Sequence, residues 1–312
     1  MSFLCNSQTI EKFSIDSGGA SATVGGIQIL YTIGEVNVQE LNTSSISISE
    51  GFINADFRVI INPIVFLQGP LLAPVASGLM NDTLRESALL QTTSPYADNA
   101  TCNASVFNTT GNNAIVDWIW LELRSASDNQ ELINARSALL QRDGDVVDFD
   151  GLSDVIMQAA PTYYFVVVKH RNHLGAMSAA TINLSDNSST TVDFTDNSFS
   201  TFGSNALVIL NSGDSALWGG DANADNSITF SGSNNDVNAV KDYILADPGN
   251  ILNFITYVSS GYLNQDIDMN SATRFSGSPN DSNIIKDNIL THPGNVLSLP
   301  TFTINPTVPP KN

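Results

Sequence analysis

Basic residues, histidine and cysteine are scarce in this chain of 312 residues. It has 12 lysines and arginines against 31 acidic residues, with three histidines and two cysteines, and its formal charge is −19. General nucleic-acid binding is excluded because it needs a basic surface. No apolar run approaches the roughly 20 residues of a membrane span. The acidic excess fits either a surface that needs only solubility or one partly neutralised by divalent cations.

Sequence signatures of catalysis are also missing. The chain contains no G-x-S-x-G motif, no phosphate-binding glycine loop and no H-E-x-x-H motif. Paired carboxylates for glycoside cleavage stay open, since the fold rather than the spacing brings such pairs together. We therefore expect a protein that is not an enzyme.

Two stretches near the C-terminus, 45 residues apart, repeat one pattern of oxygen-bearing side chains. Over residues 221–254 and their partners, 16 of 34 positions are identical, which marks a duplicated unit. Alternating oxygens that are closed by a further aspartate suit calcium, which accepts six to eight oxygen ligands in flexible geometry. The alternating oxygens belong to Asp221, Asn223 and Asp225, then Asp266, Asp268 and Asn270, and the closing aspartates are Asp236 and Asp281.

The loops depart from an ordinary EF-hand at several positions. Position 6, where glycine normally allows a sharp turn, is Asn226 in the first copy and Ser271 in the second. Arg274 stands where a water-bridging oxygen is expected. Since asparagine enters the left-handed region more readily than serine, the pattern favours the first loop over the second. The alternative is a pair of metal-free polar turns that cap two helices.

The duplicated loops resemble a dockerin, in which each of two calcium loops leads into a helix. The resemblance implies helices over 236–245 and 281–290, which the repeated Pro-Gly-Asn ends, and whose apolar positions cover one another. It also implies two Ca²⁺ ions. The ligands would be Asp221, Asn223, Asp225, the Ser227 carbonyl and Asp236, then Asp266, Asp268, Asn270, the Ala272 carbonyl and Asp281.

The rest of the chain reads as mainly β. Glycine-punctuated alternation over 13–62 predicts successive hairpins, and short strands without long helices over 63–198 predict an antiparallel β-sandwich. Residues 1–12 are expected to be a signal-peptide remnant or a flexible terminus, and 199–312 the calcium module. A long loop over 70–112 contains a short helix near 84–90. The predicted strands cover 64–67, 115–124, 131–142, 163–169, 181–184 and 191–194.

Several longer motifs resemble a family of secreted Bacteroidota proteins often labelled hemagglutinin or surface protein. They are DWIWLELR at 117–124, RSALLQRDG at 136–144, HRNHLG at 170–175 and WGGD at 218–221. The resemblance covers roughly residues 63–300 and implies a secreted protein exposed at the cell surface. It does not define an activity.

Three further features carry weaker signals. His170 and His173 invite a zinc site, but no cysteine or third histidine is near in sequence, so polar roles at a hairpin end are favoured. The acidic run at 143–151 contains Asp-Gly, which favours a hairpin turn over another calcium site. Trp118 and Trp120 share one face of a strand, where a core role is favoured over carbohydrate binding.

Together these patterns predict a secreted, calcium-stabilised structural or adhesive protein of the cell surface. Residues 13–62 could add a strand to a neighbouring copy and build a filament or sheath, or pair within their own segment. The alternative is a dockerin-like module that binds a protein or glycan without catalysis. The expected partners are therefore further copies of the chain, another surface protein or a glycan.

Overall fold

The computed structural model describes residues 19–24, 27–32, 39–42, 47–50 and 57–312. Strands account for 27% of the chain and helices for 14%, so the fold is mainly β, as predicted. Two compact units divide the chain at Asp56. The predicted segment limits at 12, 62 and 198 stay predictions, and the proposed signal-peptide remnant lies outside the described residues.

The first unit contains two antiparallel strand pairs. Strand β1 (Gly19–Val24) pairs with β2 (Ile27–Thr32), and β3 (Gln39–Asn42) pairs with β4 (Ser47–Glu50). Both pairs join strands that are neighbours in sequence, as the glycine-punctuated alternation predicts. The sequence leaves open whether residues 13–62 pair within their own segment or add a strand to a neighbouring copy, and these two strand pairs are of the first kind.

The second unit, Phe57–Asn312, holds the remaining strands and three α-helices. Short 3₁₀ turns at Gly69–Leu71, Ala104–Asn108 and Gly111–Asn113 lie in the long connection between its first two strands. The helices are α1 (Thr83–Glu86), α2 (Asp236–Ala246) and α3 (Asp281–Thr291). The strands are β5 (Val59–Ile64), β6 (Ile115–Ser125), β7 (Leu132–Gln141), β8 (Val146–Val147), β9 (Val155–Met157), β10 (Tyr163–Lys169), β11 (Ala176–Met177), β12 (Ile182–Asn183), β13 (Thr190–Asp193), β14 (Leu207–Ile209), β15 (Ser215–Leu217), β16 (Ile228–Thr229), β17 (Val258–Ser259), β18 (Thr273–Arg274) and β19 (Thr303–Ile304).

Two sheets share one apolar core. The larger is antiparallel in the order β11–β10–β6–β7–β8, with β12 also on β10, and the smaller has the order β13–β5–β9 with β13 parallel to β5. Alternate residues of β6 and β10, such as Leu121 and Val166, point into this core together with Ile61 of β5. Their neighbours Trp120, Glu122 and Lys169 therefore lie on the opposite face of the large sheet.

Most predicted strands are confirmed, but the first was wrong. Instead of running over 64–67, β5 runs over Val59–Ile64, and its buried positions alternate along that stretch. After Ile64 the chain leaves the sheet, since the Val65 N–H donates to Gly144 O (2.8 Å). The Asp-Gly turn near residue 144 is confirmed, because it connects β7 to β8.

The short helix predicted near 84–90 is present but shorter, since α1 spans only Thr83–Glu86. Ala88, with a φ of 55°, is in the left-handed region, where a right-handed helix cannot continue. Around it the connection over 70–112 forms an extended loop, as the sequence indicates.

The two predicted C-terminal helices are confirmed, each with one more residue than expected. Helices α2 and α3 begin at Asp236 and Asp281, where the side chains of Asn235 and Asn280 accept hydrogen bonds from the first turn. Both helices end before the repeated Pro-Gly-Asn. Their apolar faces meet in one core, whose buried helix residues are Val240, Ile244, Ile285 and Ile289.

The two repeats are intertwined. Strand β16 of the first copy pairs with β19, which follows the helix of the second copy, whereas β18 of the second copy pairs with β17, which follows the helix of the first. The exchange extends to side chains, because Ser231 Oγ donates to Pro300 O (2.9 Å) and Ser276 Oγ donates to Ile255 O (3.0 Å). Each repeat is thus completed by a strand of the other.

Candidate metal centres

The first aspartate of each loop holds the loop backbone around its carboxylate. Both oxygens accept backbone N–H bonds from the residues four and five positions later, and the pattern is the same in both copies. The bonds run from Asp225 N to Asp221 Oδ1 (3.0 Å), Asn226 N to Asp221 Oδ2 (3.0 Å), Asn270 N to Asp266 Oδ1 (3.0 Å) and Ser271 N to Asp266 Oδ2 (2.8 Å).

The closing aspartate begins each helix and reaches back across its loop. Its two oxygens accept one N–H from the second loop residue and one from the short strand, so it ties together both ends of the loop. The bonds run from Ala222 N to Asp236 Oδ1 (2.8 Å), Thr229 N to Asp236 Oδ2 (2.7 Å), Ile267 N to Asp281 Oδ1 (2.7 Å) and Arg274 N to Asp281 Oδ2 (2.7 Å).

The loops turn sharply at the positions that the EF-hand comparison singles out. Asn226 and Ser271, at position 6, have φ angles of 64° and 68°, and the residues at position 4, Ala224 and Met269, are at 59° and 55°. Non-glycine residues adopt these angles rarely. Four such residues at matching places therefore show that both loops, including the one with serine, take the same strained path.

The loops differ in how closely their carboxylates gather. In the second loop Asp266, Asp268 and Asp281 each offer an oxygen, and these atoms lie within 4.8 Å of one another, so the three could hold a metal ion. The first loop has Asn223 at position 3. Its exposed Asp225 directs one oxygen towards the Ser227 N–H (2.9 Å) and hydroxyl (2.7 Å). The second loop, which the sequence favours less, is thus the one with three carboxylates converging.

The remaining predicted ligands lie in the same two loops. Asn270 Oδ1 accepts from the Ala272 N–H (2.9 Å), as Asp225 does from Ser227. Asn223 Nδ2 donates to Asp225 Oδ2 (3.0 Å). That these residues act as ligands stays a prediction.

Electrostatics make these carboxylates unfavourable as bare anions. Burial, and to a smaller extent the negative charge of Asp236, raises the pKa of Asp221 to about 7. Burial also raises the pKa of Asp236, to about 6. Burial, and to a smaller extent the negative charge of Asp268, raises the pKa of Asp281 to about 7. Burial together with the charge of Asp281 raises the pKa of Asp266 well above its usual value. Grouped buried carboxylates of this kind favour a bound cation.

In the part of the chain that the structure describes, no ion pair with a basic side chain supplies that positive charge. In residues 57–312, the ion pairs within 4.0 Å involve other acids, such as Asp117, Glu122 and Asp148, and not the loop aspartates. The donor set also fits calcium, since it consists only of hard oxygens from carboxylates, amides and carbonyls. Asp266, Asp268 and Asp281 can therefore hold a metal ion.

Asn172, in the segment after β10, contacts both loops. Its carbonyl accepts from the Asp221 N–H (3.2 Å), and its side-chain nitrogen donates to Asp266 O (2.8 Å). Gln68 and Asn288 of α3 exchange a second pair of amide hydrogen bonds (2.7 and 2.8 Å). All five of these residues are buried, so polar contacts that water does not reach join the loops to the segments that follow β5 and β10.

The two histidines meet in a buried network that the sequence does not reveal. His170 Nε2 lies 3.1 Å from Asp117 Oδ2, and His170 Nδ1 lies 3.1 Å from His173 Nδ1. His173 Nε2 accepts from the Gly69 N–H (3.1 Å). Burial lowers the pKa of both imidazoles, and Arg171 pairs with Asp117 (3.0 Å). The predicted polar roles near the end of β10 are confirmed, although both histidines are buried rather than exposed in a turn.

A second charged cluster lies on the outer face of the large sheet. Glu122 is fully buried and pairs with Arg124 (2.8 Å), Lys169 (2.9 Å) and Lys311 (3.4 Å). Burial alone would raise the pKa of Glu122, but Lys169 and Arg124 outweigh it and lower the pKa to about 2. The folded protein thus holds this carboxylate ionised more strongly than the unfolded chain does.

This cluster predicts a specific acid sensitivity. Because its folded pKa of about 2 lies below the ordinary value of 4.5, Glu122 contributes stability that is present above pH 4.5 and lost as the pH falls towards 2. The free energy of unfolding of Glu122→Gln should lie about 3 kcal/mol below that of the original protein at neutral pH, and the gap should close over that window. Urea unfolding at several pH values checks this, and a gap independent of pH would contradict it.

Comparison of the chain with protein-family models, with curated proteins and with solved structures finds no match in any of the three. Among the described residues, no helix has the length and apolar character to cross a membrane.

Proposed function

We propose that the C-terminal part of the second unit is a dockerin-like module that binds two calcium ions. In this proposal the sheets that precede it form a β-sandwich, in which the predicted antiparallel pairing is replaced by a parallel one between β13 and β5. The whole chain is a secreted structural or adhesive protein of the cell surface without catalytic activity. The resemblance to secreted Bacteroidota surface proteins supports the location. Assembly of copies through strand exchange of residues 13–62 belongs to the same proposal.

One observation carries the calcium function. The two loops repeat the same hydrogen bonds to both the first and the closing aspartate, so that each loop surrounds two buried carboxylates without a basic partner within 4.0 Å among the described residues. A metal-free cap would not need to bury two like charges together, which is unfavourable. A bound divalent cation removes the repulsion.

The ions would be held by the residues that line each loop. The first set is Asp221, Asn223, Asp225, the Ser227 carbonyl and Asp236, and the second set is Asp266, Asp268, Asn270, the Ala272 carbonyl and Asp281. Calcium would supply positive charge and coordination, and would thereby fix the loops that lead into α2 and α3. In this role it stabilises the fold and takes part in no reaction.

Removal of calcium should lower the melting temperature. Extracellular calcium loops bind with dissociation constants near 10⁻⁴ to 10⁻³ M, so millimolar calcium adds about 1 kcal/mol per site. Thermal melting with calcium and with excess chelator measures the effect. Identical curves in the two conditions would reject the proposed function.

A matched pair of variants on α3 controls for the loss of charge. Asp281→Asn removes the closing ligand, whereas Asp287→Asn changes an exposed aspartate of the same helix. We expect Asp281→Asn to lose most of its calcium-dependent stabilisation from the second loop and Asp287→Asn to retain it. Equal calcium responses would show that the loop aspartate does not bind the ion.

A specific feature favours docking as a second function of the module. After each helix, a loop exposes large apolar side chains at matching positions. Ile251 and Val296 are each 85% exposed, and Leu252 and Leu297 are 70% and 74% exposed. Single scattered apolar residues are ordinary, but a duplicated set often marks an interaction site. Replacing Leu252 and Leu297 by serine separates docking from calcium binding. Docking should be lost, whereas the calcium-dependent stabilisation should remain, because it does not need these side chains.

Both apolar loops are held rigid by an asparagine. Asn250 Nδ2 donates to Ile244 O (2.8 Å) and Phe254 O (2.9 Å). In the second copy, Asn295 Nδ2 donates equivalent bonds to Ile289 O (2.7 Å) and Leu299 O (2.9 Å). Rigid display of apolar side chains lowers the entropy lost on binding, which supports a docking role.

A further inference from the structure

A pocket of about 380 Å³ opens between the outer face of the large sheet and the first calcium loop. Its volume is within the range of small-ligand sites, and aromatic, cationic and amide side chains converge on it. We propose that this pocket binds a carboxylate-bearing sugar, such as a uronate residue of an acidic polysaccharide. The proposal goes beyond calcium binding and gives the adhesive role a ligand class.

One end of the pocket carries uncompensated positive charge. Three cations, Arg124, Lys169 and Lys311, surround the single carboxylate of Glu122 and leave an excess of two positive charges. The side chains of Lys169 and Lys311 are partly exposed and line the pocket. In a chain of net charge −19, such an excess attracts an anion, and both ammonium groups can donate charge-assisted hydrogen bonds to a carboxylate.

The middle of the pocket is an aromatic wall. Trp120 is half-buried and its ring centroid lies 5.6 Å from that of Tyr96, with 40° between the two planes. Trp120 Nε1 donates to Glu122 Oε1 (3.1 Å), which fixes the indole next to the cations. A flat apolar surface beside a charged end suits a ligand that has an apolar face and an acidic group, as a uronate ring does.

The far wall offers polar groups for hydroxyls. Asn226 of the first calcium loop and Asn264 both line the pocket, and their side-chain nitrogens donate no hydrogen bond to any residue in the described part of the chain. Arg171 also lines the pocket and is more than nine-tenths buried, and its Nη2 has no hydrogen-bond partner among the described residues. Asp221 is the acidic group on this wall, and calcium would offset its charge.

A simple anion would use only the cationic end. An uncharged sugar would use the aromatic wall and the amides but would leave the two ammonium groups without a partner. A uronate offers a partner to all three parts, because its carboxylate suits the ammonium groups, its ring face suits the aromatic wall and its hydroxyls suit the amides. Since the first calcium loop forms one wall, the proposal rests on the proposed calcium function.

The test compares two sugars that differ only at C6, which is a carboxylate in one and a hydroxymethyl group in the other. Methyl β-glucuronide and methyl β-glucoside are titrated into the full chain in saturating calcium, with tryptophan fluorescence and the Trp120 indole N–H resonance as readouts. We expect the glucuronide to bind about tenfold more tightly. Equal affinities, or binding of neither sugar, would overturn the proposal.

Two exposed lysines provide matched variants. Lys311→Ala removes one ammonium from the pocket, whereas Lys286→Ala removes a lysine of α3 that lies outside it. The first should weaken glucuronide binding roughly three- to tenfold without changing glucoside binding, and the second should change neither. Unchanged glucuronide affinity in Lys311→Ala would also overturn the proposal. A calcium titration of the same samples without sugar separates this failure from a failure of the calcium function.

Discussion

Replacing Asp117 by alanine is expected to destabilise the protein by about 3–5 kcal/mol, a large part of the 5–15 kcal/mol typical of a domain. The carboxylate is fully buried and accepts from Arg171 Nε (3.0 Å), the Trp118 N–H (2.7 Å) and the Tyr262 hydroxyl. Burial would raise the pKa of Asp117, but Arg171 and His170 outweigh it and lower the pKa. Alanine would leave the guanidinium buried without its counter-charge.

The loss should extend to calcium binding. Arg171 also donates to Leu263 O, and its guanidinium lies over the ring of Tyr262 at 4.2 Å, just before the second loop begins at Asp266. Urea unfolding in saturating calcium measures the stability of Asp117→Ala. Asp242→Ala, at an exposed acid of α2, is the control and should change stability little. A loss below about 1 kcal/mol would show that the network is not stabilising as described.

Replacing Gly69 by alanine is expected to weaken calcium binding at the second loop. A Cβ at this position would lie 2.0 Å from Ile267 O, a backbone atom inside that loop, so the loop itself would have to move. Such overpacking costs about 1–3 kcal/mol. Because Ile267 also donates to Asp281 (2.7 Å), the displacement should disturb the closing aspartate.

Calorimetric titration with calcium distinguishes the two sites in this variant. The affinity of the second site should fall while that of the first changes less. Gly261→Ala is the matched control, since its added Cβ would meet only the side chain of Leu263 at 3.3 Å or more. An unchanged calcium isotherm for Gly69→Ala would contradict the contact between this turn and the loop.

The sequence predicts well the elements that local signals define. Helices α2 and α3 begin where an asparagine precedes the closing aspartate and end at Pro-Gly-Asn, because capping and stop signals lie within a few residues of each boundary. Strands β6 and β10 are long, apolar and bounded by polar turns. In contrast, β5 was placed too late, since the apolar run continues into 65–67 after the chain has left the sheet.

Contacts between distant residues could not be read from the chain. Asp117 meets His170 and Tyr262 across 53 and 145 residues, and no periodicity marks such a meeting. Trp118 and Trp120 illustrate the same limit. They share one face of β6, yet Trp118 is buried in an apolar cluster whereas Trp120 lines the pocket.

The exchange of strands between the two repeats bears on whether either half can fold alone. A single copy would lack the strand that its loop pairs with, so it could complete its fold only with a second molecule of the same kind. Two copies of one half would then form an isologous pair in which each supplies the strand that the other lacks. Neither half is therefore expected to be a self-sufficient unit.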